Sequence, residues 1–101
     1  MTWISMPEAI RLKGFRPGTI AASRKGRDRG TVYLVIEIQD PFASCSNGEG
    51  RHWPDRMKKK RLKHLVAIDE VSPAKMAEFE TMTDKGQKNK WIRDQLKRGK
   101  G

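Results

Sequence analysis

The chain has 101 residues, of which 36% are apolar and 34% charged, and its formal charge is +10. That length holds one small domain with at most a short appendage, and that charge opposes compaction by self-repulsion while favouring a polyanionic partner. A single cysteine, Cys45, excludes an internal disulfide, and no run approaches the ~20 apolar residues of a membrane-spanning helix.

The first fifteen residues contain no apolar run of signal-peptide length, so a soluble, intracellular and cytoplasmic protein is expected. PEAIRLKG at 7–14 reads as one short helical turn. Pro17-Gly18 marks a turn, after which TIAAS at 19–23 reads as a short strand. Residues 25–30 form a loop punctuated by Gly26 and Gly30. Residues 31–38 are the clearest strand: Val32, Leu34, Ile36 and Ile38 share one wholly apolar face, expected to point into a core, with Thr31, Tyr33, Val35 and Glu37 on the other. Asp40-Pro41 ends it. FASC at 42–45 reads as a brief third strand closed by the Asn47-Gly48 turn signal, and residues 51–53 as a segment returning antiparallel to it before Pro54. RMKKKR at 56–61 is a loop or a strand edge, and KHLVAI at 63–68 is the last strand. Short strands at this spacing, with no helix between them, argue for a small antiparallel barrel over 17–70.

After residue 70 the pattern changes. Ser72-Pro73 starts a helix, with serine as N-cap and proline in the first helical position. Met76, Phe79 and Met82 then recur as a packing stripe. Thr83 or Asp84 caps a second helix in which Trp91, Ile92 and Leu96 are apolar and which Gly99 ends. The expected architecture is therefore mainly β, an N-terminal extension at 1–16 and the barrel being followed by a C-terminal helical hairpin with a basic tail over 71–101.

Charge arrives in blocks: +5 over residues 1–36, −3 over 37–50, +6 over 51–65, −3 over 66–82 and +5 over 83–101. Dispersed charge would serve solubility alone, whereas blocks make faces, which a polyanion needs. RKGRDR at 24–29 sets five charges in six positions directly before a strand. Gly26 and Gly30 permit close approach of the backbone to a phosphate chain, while Arg24, Lys25, Arg27 and Arg29 supply cations, arginine with a bidentate grip. Asp28 reads as a turn former or an arginine-orienting partner rather than a contact to the polyanion. The second dense block is Lys58, Lys59, Lys60, Arg61 and Lys63. Four consecutive cations exceed what blocking a sheet edge requires, which favours a phosphate-tracking stripe.

GTIAASRKGRDRGTVYLVIEI at 18–38 resembles the KOW motif, a strand, a basic loop with a closing glycine and a second strand. With Asn47-Gly48, then Arg51, then RMKKKRLKHL at 56–65, the chain is similar to a group of bacterial KOW-domain RNA-binding proteins. These in turn resemble a large-subunit ribosomal protein family of archaea and eukaryotes. The resemblance spans residue 18 to about residue 96, and the loop together with KKKRLKHL is more specific than either alone. It implies an SH3-like barrel of KOW type that binds RNA around the ribosome or translation. With that resemblance, the candidate RNA-binding residues are Arg24, Lys25, Arg27, Arg29, Gly30, Arg51, Lys58, Lys59, Lys60, Arg61, Lys63 and His64. The chain departs from the group in its N-terminal extension, with Trp3 and Phe15, and in the polar segment 40–54.

Other chemistries find little purchase. Cys45, His52 and His64 lack the spacing of a four-ligand zinc site, so neither metal nor cofactor is expected. There is no nucleophile–base–orienter set and no phosphate-binding loop of the nucleotidase kind, so an enzyme is not expected. His64 is either a packed imidazole or a contact to an RNA base or sugar, and Trp53 is either core or a stacking platform. The leading expectation is a non-catalytic RNA-binding module, monomeric in isolation, with ribosomal RNA as its partner and ribosomal or other proteins as further ones. The alternatives are a protein-interaction module of the transcription or translation machinery, using Glu78 and Glu80 beside Met76 and Phe79, and a non-specific basic DNA-binding protein. Membrane-surface binding is disfavoured, because neither helix combines a wide apolar face with a basic one.

Overall fold

The computed structural model describes residues 15–100, the last three by their backbone alone. The helical turn read at 7–14 and the extension's Trp3 lie outside them. Five strands, β1 (Thr19–Ser23), β2 (Val32–Gln39), β3 (Phe42–Ser46), β4 (Lys58–Arg61) and β5 (Leu65–Glu70), precede two helices, α1 (Pro73–Thr81) and α2 (Lys85–Lys100). The strands make one antiparallel sheet in the order β4-β3-β2-β1-β5.

β4 and β5 therefore occupy opposite edges, yet only a 3-10 turn, Leu62–His64, joins them. Five flat strands would hold those edges ~19 Å apart, whereas four Cα steps reach ~15 Å at most. The sheet must curl, and it does. Lys60 on β4 donates a hydrogen bond to the Lys25 carbonyl (3.0 Å) in the β1–β2 turn, and the Arg24 amide donates to the His64 carbonyl (2.9 Å). No ladder joins β4 to β5, so the sheet is curled but open.

The central strands β1 and β2 carry buried residues on both faces, where the sequence predicted one apolar face. On one side Ile20 and Leu34, with half-buried Val32 and Ile36, meet Val71, Met76, Phe79, Trp91, Ile92 and Leu96 of the helical segment. On the other, inside the curl, lie Ala21, Tyr33, Val35, Ala43, Cys45, Leu62 and Leu65. Ile38 does not stay with Val32, Leu34 and Ile36. The β2–β3 register shifts between Val35 and Glu37, and that irregularity carries Ile38 to the inner cluster beside Tyr33 and Val35.

The helices begin as the sequence predicts. The Ser72 hydroxyl accepts from the Lys75 amide (3.2 Å) with Pro73 at the first position, and Asp84, rather than Thr83, accepts from the Gln87 amide (2.9 Å). α2 runs to Lys100, so Gly99 sits within its last turn instead of ending it, a place where a helix has no further carbonyl partners to lose. Segment 71–101, set apart in the sequence as an appendage, shares a core with the sheet: Phe79 lies 5.2 Å from Trp91 and 5.7 Å from Trp53 between ring centroids. Lys88 is buried over both Trp53 (4.2 Å) and Phe79 (4.4 Å), its ammonium facing the negative faces of the rings.

Two strand expectations need correction. Residues 51–53 form a turn, and the partner of β3 is β4. The Trp53 amide and carbonyl are instead taken by the Asn89 side chain of α2 (2.8 and 2.9 Å), which acts as a short strand mimic and leaves nothing for a ladder. Lys63 and His64 lie in the 3-10 turn, and β5 begins at Leu65, because Leu62 turns inward to close the curl. No helix among the described residues is long and apolar enough to cross a membrane.

Candidate nucleic-acid interface

The turn between β1 and β2 is built on itself. The Gly30 amide donates to the Ser23 carbonyl (2.8 Å), Thr31 to Asp28 (2.8 Å) and Arg29 to Gly26 (3.2 Å), with Gly26 at φ +93° and Gly30 at φ +92°. Those two angles require glycine, and they let the turn close within a few residues. Arg24, Lys25, Arg27 and Arg29 are left exposed around it.

Asp28 is the hub. Its carboxylate accepts from the Tyr33 hydroxyl (2.7 Å), the Ser23 hydroxyl (2.9 Å) and the Lys60 ammonium (3.1 Å). Burial alone would raise its pKa, but these three hydrogen bonds and the Lys60 charge outweigh that and hold it at about 2. Burial, then the bond to Asp28, pushes the Tyr33 hydroxyl well above its ordinary value. Burial likewise pushes the Cys45 thiol up to about 12, so it stays protonated and inert among the inner apolar residues.

The lysine run does not make one stripe, because strand geometry sends alternate side chains to opposite faces. Lys60 turns inward, 8% exposed, and spends its charge on Asp28. Lys59 and Arg61 turn outward over the Phe42 ring, at 4.7 and 5.0 Å from its centroid. Lys58 is half-buried at the start of β4. Arg61 and Lys63 are exposed beside half-buried His64, whose pKa is lowered by partial desolvation and then by the cations Lys25, Lys63, Lys60 and Arg61 around it. The fold thus brings Arg24, Lys25, Arg27, Arg29 and Gly30 together with Arg61, Lys63 and His64 on one end of the curl. Arg51, exposed in the neighbouring turn, flanks it closely enough to act on the Tyr33 hydroxyl. Lys58 and Lys59 extend the positive surface along the β4 edge.

The residues that hold this surface are Asp28 and Tyr33. Asp28 is a turn former as expected, but it orients a lysine rather than an arginine, and Tyr33 is core with a working hydroxyl. The signal was available in part: a tyrosine three residues past the closing glycine, on the face opposite the apolar row, falls within reach of the turn it follows. Among the described residues no group of three His, Cys, Asp or Glu side chains is placed to hold a metal ion. Compared with known proteins, the chain matches no family model and no curated sequence.

Proposed function

We propose that this chain is a non-catalytic RNA-binding module of the KOW type, its curled sheet being an SH3-like barrel, associated with the ribosome or translation in the cytoplasm. The observation that carries the reading is the clasp of Lys60 and Asp28. It pins the basic turn to the end of β4, beside the 3-10 turn whose His64 carbonyl accepts from the Arg24 amide, so exposed cations from two elements share one surface. Rigid, preorganised cations suit a phosphate backbone, since little side-chain and loop entropy is lost on binding. The resemblance of 18–38 and 56–65 to KOW-domain proteins supports RNA over other polyanions.

Affinity for ribosomal RNA and for duplex DNA of equal length, measured across a salt series, tests this. RNA binding should be the tighter and should be lost in the Arg27→Glu/Arg29→Glu variant while its circular dichroism stays native. A folded variant that binds RNA as tightly as the parent overturns the reading, and equal affinity for both nucleic acids favours non-specific DNA binding. A protein-interaction role has one observation of its own: Val66 and Ile68 on edge strand β5 are 43% and 48% exposed. The stripe of Met76 and Phe79 offers it no support, being buried against the sheet.

A further inference from the structure

A cleft of about 470 Å³ opens where the basic turn ends. One wall is Gly30, Thr31 and Val32 as β2 begins, a second is the 47–49 turn, and the third is the last part of α2. Its size falls within the range of small-molecule sites, and its lining is mixed in a particular way. Val32 and buried Leu96 supply apolar surface, and Glu49 supplies a carboxylate. Arg93 and Lys97 supply cations from α2.

The groups are held rather than loose. Arg93 donates through Nη1 to the Gly48 carbonyl (2.7 Å), which fixes its guanidinium against the turn. The Asn47 side-chain oxygen accepts from the Glu49 and Arg51 amides (both 2.9 Å), so the residue carrying the carboxylate has a set backbone. Nothing lies within 4 Å of where a side chain on Gly30 would begin, so the cleft is open on the side of the basic turn.

We propose that this cleft receives one unstacked RNA base, with Glu49 selecting guanine; the inference rests on the RNA-binding reading above. A phosphate chain held by Arg27 and Arg29 passes its mouth. A base swung out of the stack can lie on the Val32 and Leu96 surface with its flat face toward the Arg93 guanidinium, a common mode of reading single-stranded RNA. A carboxylate is an acceptor only. Of the four RNA bases, guanine alone presents two neighbouring N–H donors on its Watson–Crick edge, matching the two oxygens of Glu49. A carboxylate at the rim of a phosphate-binding face repels the backbone, and contact with a base edge, flanked by Arg93 and Lys97, turns that cost into discrimination. The same geometry disfavours duplexes, whose bases would have to be extruded first.

The test uses single-stranded uridine decamers with one central position changed to guanosine, cytidine, adenosine or an abasic sugar, their affinities read by fluorescence anisotropy. The guanosine oligomer should bind about tenfold more tightly than the abasic one, the low end of discrimination by a bidentate pair. In Glu49→Gln that preference should collapse while the salt dependence stays unchanged. Arg27→Glu/Arg29→Glu should instead weaken all the oligomers alike. Equal wild-type affinity for every oligomer, with a normal salt slope, overturns the base site and leaves the phosphate-binding reading standing. A guanine preference that survives in Glu49→Gln overturns the role of Glu49. Failure to bind any of them removes the inference together with the reading beneath it.

Discussion

Lys59 and Lys60 are neighbours in sequence and do unlike work, since one side chain stands over Phe42 in solvent and the other is buried against Asp28. Removing one partner of a buried pair leaves the other charge uncompensated, which typically costs ~3–5 kcal/mol. Lys60→Ala should therefore lose about 3 kcal/mol of stability in urea unfolding, and Lys59→Ala should stay within ~0.5 kcal/mol of the parent. Equal losses would remove the hub role of Asp28. That role also has a pH signature. The Asp28 pKa is depressed from 3.8 to about 2, so its stabilising contribution is complete above the unfolded value and disappears as pH falls through the folded one. Roughly 2 kcal/mol should vanish between about pH 4 and pH 2, and Asp28→Asn, though less stable throughout, should lack that step in a melting series. His64 titrates in the other sense on binding. Partial desolvation, then the surrounding cations, hold its pKa below the ordinary 6.5, and a polyanion that neutralises those cations raises it again. RNA affinity should then strengthen between pH 7.5 and 5.5, with a weaker response in His64→Gln; a pH-independent parent would separate His64 from the interface.

At the scale of elements, the 47–51 turn is where strand and helix meet. Gly48 has φ +74°, and a Cβ there would lie 2.5 Å from the Asn89 carbonyl oxygen and 2.8 Å from Arg93. Gly48→Ala must displace α2 backbone, so it should cost about 2–3 kcal/mol, more than a surface change of equal size, in the same urea assay. Deleting the helices, which the sequence presents as a C-terminal hairpin following the barrel, should unfold the sheet as well, because Ile20 and Leu34 would lose their cover. Native circular dichroism in a chain ending at residue 71 would contradict that. These cases also mark what was legible in the sequence. β1 matched the expected five residues, β2 and β3 came within one residue, and both helix starts were readable, since local propensity and capping decide them. Tertiary structure decided the rest. A residue shift within β2 moved Ile38, the Asn89 amide took the backbone of Trp53 out of the sheet, and a period of two divided a lysine run that looks uniform when written as letters.

For the whole molecule, the exposed cations at the end of the curl are Arg24, Lys25, Arg27, Arg29, Arg61 and Lys63. Were each to displace one counterion from single-stranded RNA, log K would fall with log salt at a slope of about −4. Neutralising Arg61 and Lys63 should reduce that slope by about 1.4 without changing the melting temperature appreciably, whereas an unchanged slope would exclude the 3-10 turn from the contact. Binding and stability should separate cleanly here, since the charge that matters to the fold is buried and those that matter to a ligand are not.

The Lys60 clasp has one more consequence. By tying a turn on one side of an open sheet to a strand on the other, it gives the molecule a fixed gauge, much as the pin of a caliper sets the opening of its jaws. A surface of fixed gauge would suit one spacing of phosphates and reject others before any base is touched. A variant with the pin withdrawn, but still folded, should accept a wider range of nucleic-acid shapes and hold each of them less firmly.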